Sequence, residues 1–363
     1  MKSNKKGVAI VGTRARGGIR AVIENHIQAG VYSGYRHYYI ASHDEVGAMK
    51  RIGLAIGALL RVTSLILRKK VNICHLHGSM KGSIYRKSLF VFICRLLGCK
   101  VIFHLHGSEF AKTYDKAGSI YRSLVRYVLN HSDSVFVLSQ YWKSYVSSIS
   151  ENPDIRIINN FPSPEFEKLY GQKDFSLSQI VELLFLGYIG QRKGIYDLVE
   201  AVQLLKAEGV SGFRVTVGGN GEVEKLRALI TEKGLDDYFN VIGWVTGERK
   251  YQLLKSSDLL LLPSHNEGLP IAILEALCAG LAVLSTRVGG IPDAICDERY
   301  GLLVEPGQPQ ALAEAISRYL ETDGLIEQVA RNARELYDKV YSSRTNVKLI
   351  RSVYDSLVQA TNK

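Results

Sequence analysis

The sequence predicts an α/β protein built from two parallel-sheet domains. Three observations lead there. At 363 residues the chain suits two domains of roughly 100–200 residues each. Short apolar runs alternate with longer stretches of helical spacing, which is the rhythm of βαβ units. After the Pro-rich stretch Asn159-Asn160-Phe161-Pro162-Ser163-Pro164, that rhythm starts again. The expected organisation is therefore a first domain over 1–162, a second over 163–342 and a terminal helix over 343–363.

In the first half, Gly7–Gly12 reads as a strand. It leads into the Gly-rich turn Thr13-Arg14-Ala15-Arg16-Gly17-Gly18-Ile19 and a helix over Arg20–Ala29. Gly17 and Gly18 allow close backbone approach to a ligand, but the turn is not the G-x-G-x-x-G of dinucleotide-binding folds. Tyr35–Ala41 is a second strand. Met49–Lys70 has helical periodicity, with Leu54, Ala55, Ala58, Leu59, Val62, Leu65 and Ile66 on its apolar side. Two later strand ends share His-Leu-His-Gly-Ser: His75 to Ser79 and His104 to Ser108. A helix over Ser83–Leu97 separates them. A further helix spans Arg122–His131, then a strand Ser134–Leu138. Ser139 reads as an N-cap for the helix after it. Arg156–Asn160 is the last strand of this half.

The second half opens with a strand, Val181–Leu186, the loop Gly187–Gly194 and a helix over Ile195–Ala207. Strands follow at Arg214–Gly218 and Val241–Trp244. The most informative stretch comes next. Leu259–Leu262 is a short apolar run suited to a strand buried on both faces. Pro263 ends it, Ser264–Leu269 is a polar loop, and Pro270 suits the first position of a helix that stops at Gly280. Ala282–Thr286 begins another strand. This puts Glu267 on a loop at a strand's carboxyl end, where open α/β sheets bind ligands, beside a helix N-terminus able to hold an anion. Glu275 lies further along the same helix. Carboxylates beside an anion site suit a ligand with both phosphates and hydroxyls, such as a nucleotide sugar.

The spacing Glu267-x7-Glu275 resembles the Glu-x7-Glu motif of the retaining glycosyltransferases of family 4. Here it comes with Pro263-Ser264, Glu267-Gly268-Leu269-Pro270, Ala279-Gly280 and Gly289-Gly290-Ile291-Pro292-Asp293. The resemblance implies the GT-B fold, two Rossmann-like domains facing each other across a cleft. It also implies a metal-independent hexosyltransferase that uses a nucleotide-diphosphate sugar as co-substrate, with no other cofactor. Glu267 is then expected at the sugar hydroxyls and Glu275 at the ribose. Lys193, with Arg192, and the backbone at Gly268, Leu269 and Pro270 would meet the diphosphate. Gly17 and Gly18 would face the donor phosphates. His106 would contact the transferred sugar, leaving Glu267, Lys193 and His106 as the catalytic set. The family's loop after the first strand of the second domain usually carries an Arg where this chain has Tyr188. That departure leaves Arg192 as the second positive charge, from another backbone position.

Charge is unevenly placed. Residues 1–165 hold 24 Lys/Arg against 9 Asp/Glu, net +15, and residues 166–363 hold 22 against 26, net −4. A basic first half with amphipathic helices suggests an anionic membrane surface and a lipid-linked saccharide acceptor in polysaccharide assembly. No aromatic-rich basic motif supports nucleic acid. The five cysteines lack a C-x-x-C and read as reduced core thiols. With no apolar leader segment and no stretch of about 18 apolar residues, the expectation is a cytoplasmic protein, peripheral on the inner face of the membrane. Two other enzyme readings stay open: a nucleotide-sugar 2-epimerase on the same scaffold, and a metal-dependent hydrolase built on the His-x-His pairs.

Overall fold

A computed structural model describes residues 6–15, 17–172 and 180–361. The N-terminal Met-Lys-Ser-Asn-Lys and Arg16 of the Gly-rich turn lie outside the described residues. The chain forms two compact units. One comprises residues 1–160 with 343–363, and the other residues 161–342.

In the first unit the strands are β1 (Gly7–Gly12), β2 (Arg36–Ala41), β3 (Ile73–Gly78), β4 (Lys100–Leu105), β5 (Ser134–Val137) and β6 (Ile155–Ile157). They pair in parallel in the order β2-β1-β3-β4-β5-β6. Between them run α1 (Gly18–Gln28), α2 (Ala48–Leu67), α3 (Gly82–Leu96), α4 (Phe110–Asp115), α5 (Ser119–Asn130) and α6 (Gln140–Ile149). Val8–Val11, Ile73, Cys74, Val101–Phe103 and Val135–Val137 are fully buried, as a sheet covered on both faces requires. Ser139 caps α6 by accepting from Trp142 N.

The second unit holds β7 (Val181–Leu186), α7 (Ile195–Ala207), β8 (Phe213–Gly218), α8 (Val223–Glu232), β9 (Phe239–Gly243), α9 (Gly247–Ser256), β10 (Leu259–Leu262), α10 (Ile271–Ala279), β11 (Ala282–Thr286), α11 (Ile291–Ala294), β12 (Leu302–Val304), α12 (Pro309–Glu321) and α13 (Leu325–Leu336). Its parallel order is β12-β11-β10-β7-β8-β9. The leucines of β10 are completely buried between β7 and β11. The chain then returns to the first unit as α14 (Ser343–Thr361).

In each sheet the first strand lies between neighbours reached in opposite directions. That reversal falls between β1 and β3 in one unit and between β7 and β10 in the other. Loops at the carboxyl ends of such strand pairs diverge and leave a crevice, which is where open α/β sheets place ligands. Two sequence expectations need correction. Pro270 precedes the first helical residue: its ψ of 128° is extended, so it flanks α10 as the capping position and does not begin it. Cys296 is exposed, unlike the four core thiols.

Candidate functional site

The second unit's crevice is framed by the loops after β7 and β10. Gly194 has φ +71°, and a Cβ there would sit 1.8 Å from the Pro263 carbonyl oxygen, so only glycine lets the two loops approach. His265 N donates to Arg192 O at 2.9 Å across this junction. Lys193 Nζ then forms an ion pair with Glu267 Oε1. Ser264 Oγ donates to the same oxygen at 2.9 Å, and among the described residues Oε2 carries no hydrogen bond. Both partners are largely buried, with 13% and 7% of the side chains exposed. Behind the loop, Gly289 (φ +55°) lies so close to Glu267 O that a Cβ would be 1.8 Å away, and Gly290 N donates to Gly268 O at 2.7 Å. The backbone under Glu267 is thus fixed from two sides.

Arg192 Nη1 donates to Asn266 O at 3.2 Å, which lays the exposed guanidinium along the Glu267 loop. Tyr188 supplies no charge. Its half-exposed ring packs on Gly190 and Gly221, where an added Cβ would come within 2.9 Å. His265 Nε2 pairs with Asp197 Oδ2 at 2.6 Å, tying the loop to the first turn of α7. Leu269 and Pro270 are buried and lead into α10, whose first N–H groups have no partner within the helix.

Glu275 is the fifth residue of α10 and is buried. Lys250 Nζ, from α9, donates to its Oε1 at 2.5 Å, whereas Oε2 is buried with no hydrogen bond. Burial pushes this carboxyl above its ordinary pKa and Lys250 opposes the shift. A buried carboxylate oxygen without a donor is costly. A hydroxyl-bearing ligand is one chemistry that would satisfy it. Lys250 was missed in the sequence, and Ser264 entered only as part of the Pro263-Ser264 pair, with no contact to Glu267 expected. Lys250 has no spacing signal, since it lies on a different helix from its partner.

In the first unit, β3 and β4 bring four histidines together, and His26 from α1 joins them. His77 and His104 are directly paired across the strands. The His75 and His104 rings stack at 5.4 Å, and those of His77 and His106 at 5.1 Å. His77 Nδ1 and His106 Nε2 share a hydrogen bond of 2.9 Å, and His75 Nδ1 meets Tyr354 OH at 2.6 Å. Burial drives every one of these imidazoles toward the neutral form, with His26 and His106 lowered to about 3. His75, His77 and His104 place nitrogens within 4.8 Å of one another. Among the described residues, this group of possible metal ligands includes no carboxylate or thiol.

Gly17 (φ +145°) and Gly18, at the start of α1, line a separate cavity of about 440 Å³. It lies at the carboxyl ends of β1, β2 and β3, at Gly12, Ser42 and Ser79. Arg51 of α2 and Arg86 and Lys87 of α3 complete its wall.

Residues 8–166 match the family model "Glycosyltransferase Family 4", and residues 177–336 match "Glycosyl transferases group 1". A putative colanic acid biosynthesis glycosyltransferase of Escherichia coli is 32% identical over 189 residues, covering 50% of this chain and 45% of that protein. The chain thus spans about half the length of the curated relatives it first matches. Among solved structures, a sucrose-phosphate synthase from Thermosynechococcus elongatus superposes with a TM-score of 0.82 at 16% identity, covering 98% of this chain and all of the other. Anabaena HepE, solved with UDP-glucose, gives 0.74 at 15% identity over 97% of this chain and 99% of its own.

Proposed function

The chain belongs to the glycosyltransferases, with a Family 4 first half, a group 1 second half and the GT-B fold, and from that premise we propose that it is a retaining hexosyltransferase of polysaccharide assembly. The donor is a nucleoside-diphosphate sugar and the acceptor a hydroxyl of a lipid-linked saccharide. One observation carries this reading: the Lys193–Glu267 pair at the β7/β10 crevice, beside the start of α10. A cation, a carboxylate and a helix N-terminus at one point suit a diphosphate joined to a polyhydroxylated ring. A bound UDP-glucose in a structural neighbour agrees with that donor class.

In the reaction, the bond from the anomeric carbon to the diphosphate oxygen breaks. A bond from the acceptor oxygen forms on the same face, and the acceptor's proton passes to the departing phosphate. Lys193, Arg192 and the backbone at Gly268–Pro270 stabilise the negative charge that develops on the leaving group. Lys193 must turn from Glu267 toward the phosphate, which frees Glu267 Oε1 for the sugar hydroxyls. Glu275 Oε2 accepts from the ribose. Gly17 and Gly18 offer backbone N–H groups to phosphate, and His106 donates or accepts at the transferred sugar as a neutral imidazole. The charges are met by side chains and backbone, without a metal.

The lipid-linked acceptor rests on the surface of the first unit. Met49, Ile52, Ile56 and Leu60 of α2 and Tyr85, Leu89, Phe92 and Leu96 of α3 are exposed at helical spacing, and the two helices pack together. Lys50, Arg51, Arg61, Arg68, Lys69 and Lys70 flank them. An apolar stripe edged with cations fits an anionic bilayer surface. No helix among the described residues is long and apolar enough to cross a membrane; the contact proposed is a peripheral one. The direct test of the assignment is NMR of the product formed from a UDP-sugar screen with lipid-linked saccharides. An α-linked donor must give an α-linked product. An inverted product ends the retaining reading, and a sugar epimerised without acceptor points to the 2-epimerase.

A further inference from the structure

The cavity bounded by β1, β2, β3, α2 and α3 is basic. Among the described residues its charged or titratable lining comprises Arg51, Arg86, Lys87, His43 and His77, with no Asp or Glu. Neither guanidinium forms an ion pair or hydrogen bond among the described residues, and Arg86 Nε is buried with no partner. Burial and the neighbouring Arg51 both weaken the hold of Arg86 on its proton. Two like charges therefore act on each other within one wall, which favours a bound anion.

Lys87 sharpens the point. It is 2% exposed, and its ammonium donates to Val11 O at 3.2 Å and Ser42 Oγ at 3.1 Å. An ammonium has three protons, so one is left for an occupant. Buried lysines without a carboxylate are expensive to keep charged, and Lys87 is pulled down to about 7 by burial and by Arg86. The start of α3 borders the same space, at Gly82–Ser83, and adds backbone donors to the side-chain ones.

We propose that this cavity seats a phosphate or diphosphate group of the acceptor, held by Arg51, Arg86 and Lys87. The proposal rests on the glycosyltransferase reading for the word acceptor alone; the anion site stands on its own residues. Phosphate is favoured over a carboxylate because two guanidinium groups, the Lys87 amine and the start of α3 converge, enough donors to meet a multiply charged group. Its source is a lipid diphosphate or a free phosphate ester. The mouth is bordered by Arg51 and Arg86, which stand on the same two helices as the exposed Ile52, Ile56, Leu89 and Phe92. A phosphate seated here would leave an attached lipid chain next to an apolar surface.

The test uses the full chain and titrates inorganic pyrophosphate, farnesyl diphosphate and UDP into wild type, Arg51→Gln, Arg86→Gln and Lys193→Ala by calorimetry at low salt. Arg51 is exposed on α2, so its replacement does not threaten the fold. Pyrophosphate affinity is expected to fall about tenfold in each arginine variant and to hold in Lys193→Ala, with UDP affinity showing the opposite pattern. Farnesyl diphosphate binding more tightly than pyrophosphate, with the same arginine dependence, supports a lipid source; equal affinities support a free phosphate ester. Pyrophosphate that fails to bind wild type, or that binds both arginine variants unchanged, overturns the proposal. Loss of pyrophosphate binding only in Lys193→Ala also overturns it, by placing the anion in the donor site. If UDP binds nothing while the arginine dependence holds, the donor reading fails and the anion site remains.

Discussion

Lys193 Nζ and Glu267 Oε1 meet in an ion pair between residues 74 positions apart, beside the junction where Gly194 lets the loops after β7 and β10 approach and His265 N donates to Arg192 O. The pair holds both side chains at the crevice. It also means that each charge depends on the other until a phosphate arrives.

Replacing either partner is expected to lower turnover by about 100-fold or more, through lost stabilisation of the leaving diphosphate or of the sugar. Glu267→Gln and Lys193→Ala, purified and checked for folding by circular dichroism, are the variants to assay. Near-normal activity in both would remove the site from this crevice.

Lys250→Met leaves Glu275 as a buried carboxylate without its cation, at a cost of about 3 kcal/mol. Loss of Lys250 lets burial raise the Glu275 pKa further. The deficit is therefore full above that raised pKa and shrinks as protonation sets in at lower pH. Urea unfolding of the variant and wild type between pH 5 and 8 measures it, and a pH-independent difference would show that Glu275 is not the group responsible.

The histidine cluster makes stability fall in acid. All five imidazoles have folded pKa values below the ordinary 6.5. The unfolded chain thus binds more protons below about pH 6.5, and each group subtracts up to about 1.4 kcal/mol per pH unit as pH falls. Unfolding free energies from pH 7 to 5 should decline, and His104→Phe should flatten the slope. An identical slope in that variant would refute neutral burial of His104.

Vesicles rich in phosphatidylglycerol should retain the protein at low salt and release it progressively as salt screens the basic residues. The substitutions Ile52→Ser, Ile56→Ser and Phe92→Ser, combined, should weaken retention at least tenfold without altering thermal stability, because these side chains are already exposed. Retention unchanged in a co-sedimentation assay would make the acceptor surface a soluble one.

Fully buried strands were legible because each is a short run of apolar residues such as Leu259–Leu262, and Glu267 was legible because a strand, a proline and a glycine frame it. The convergence of side chains was not. Nothing in sequence spacing aims Lys250 at Glu275 or joins His26 to the two His-x-His pairs. The helix α2 shows the limit most plainly. Its core face, with Ala58, Val62 and Ile66 buried, follows from periodicity, but a second apolar stripe through Ile52, Ile56 and Leu60 faces solvent. Two interleaved stripes on one helix look like a single wide one until neighbours are known. The helices α4 and α8 escaped notice: they span 6 and 10 residues, which leaves few turns for a helical period to show.

The bond from Tyr354 to His75 spans 279 positions, and Arg351 donates to Gly30 O while Tyr354 stacks on Tyr32. In topological terms the second unit is a guest inserted into a host whose last piece is α14. During synthesis the guest can fold to completion while its host still lacks a wall over the histidines. Cutting the chain ahead of Ser343 would spare the crevice between β7 and β10 and take Tyr354 away from His75, so the first unit is complete only once residues that follow the whole of the second are in place.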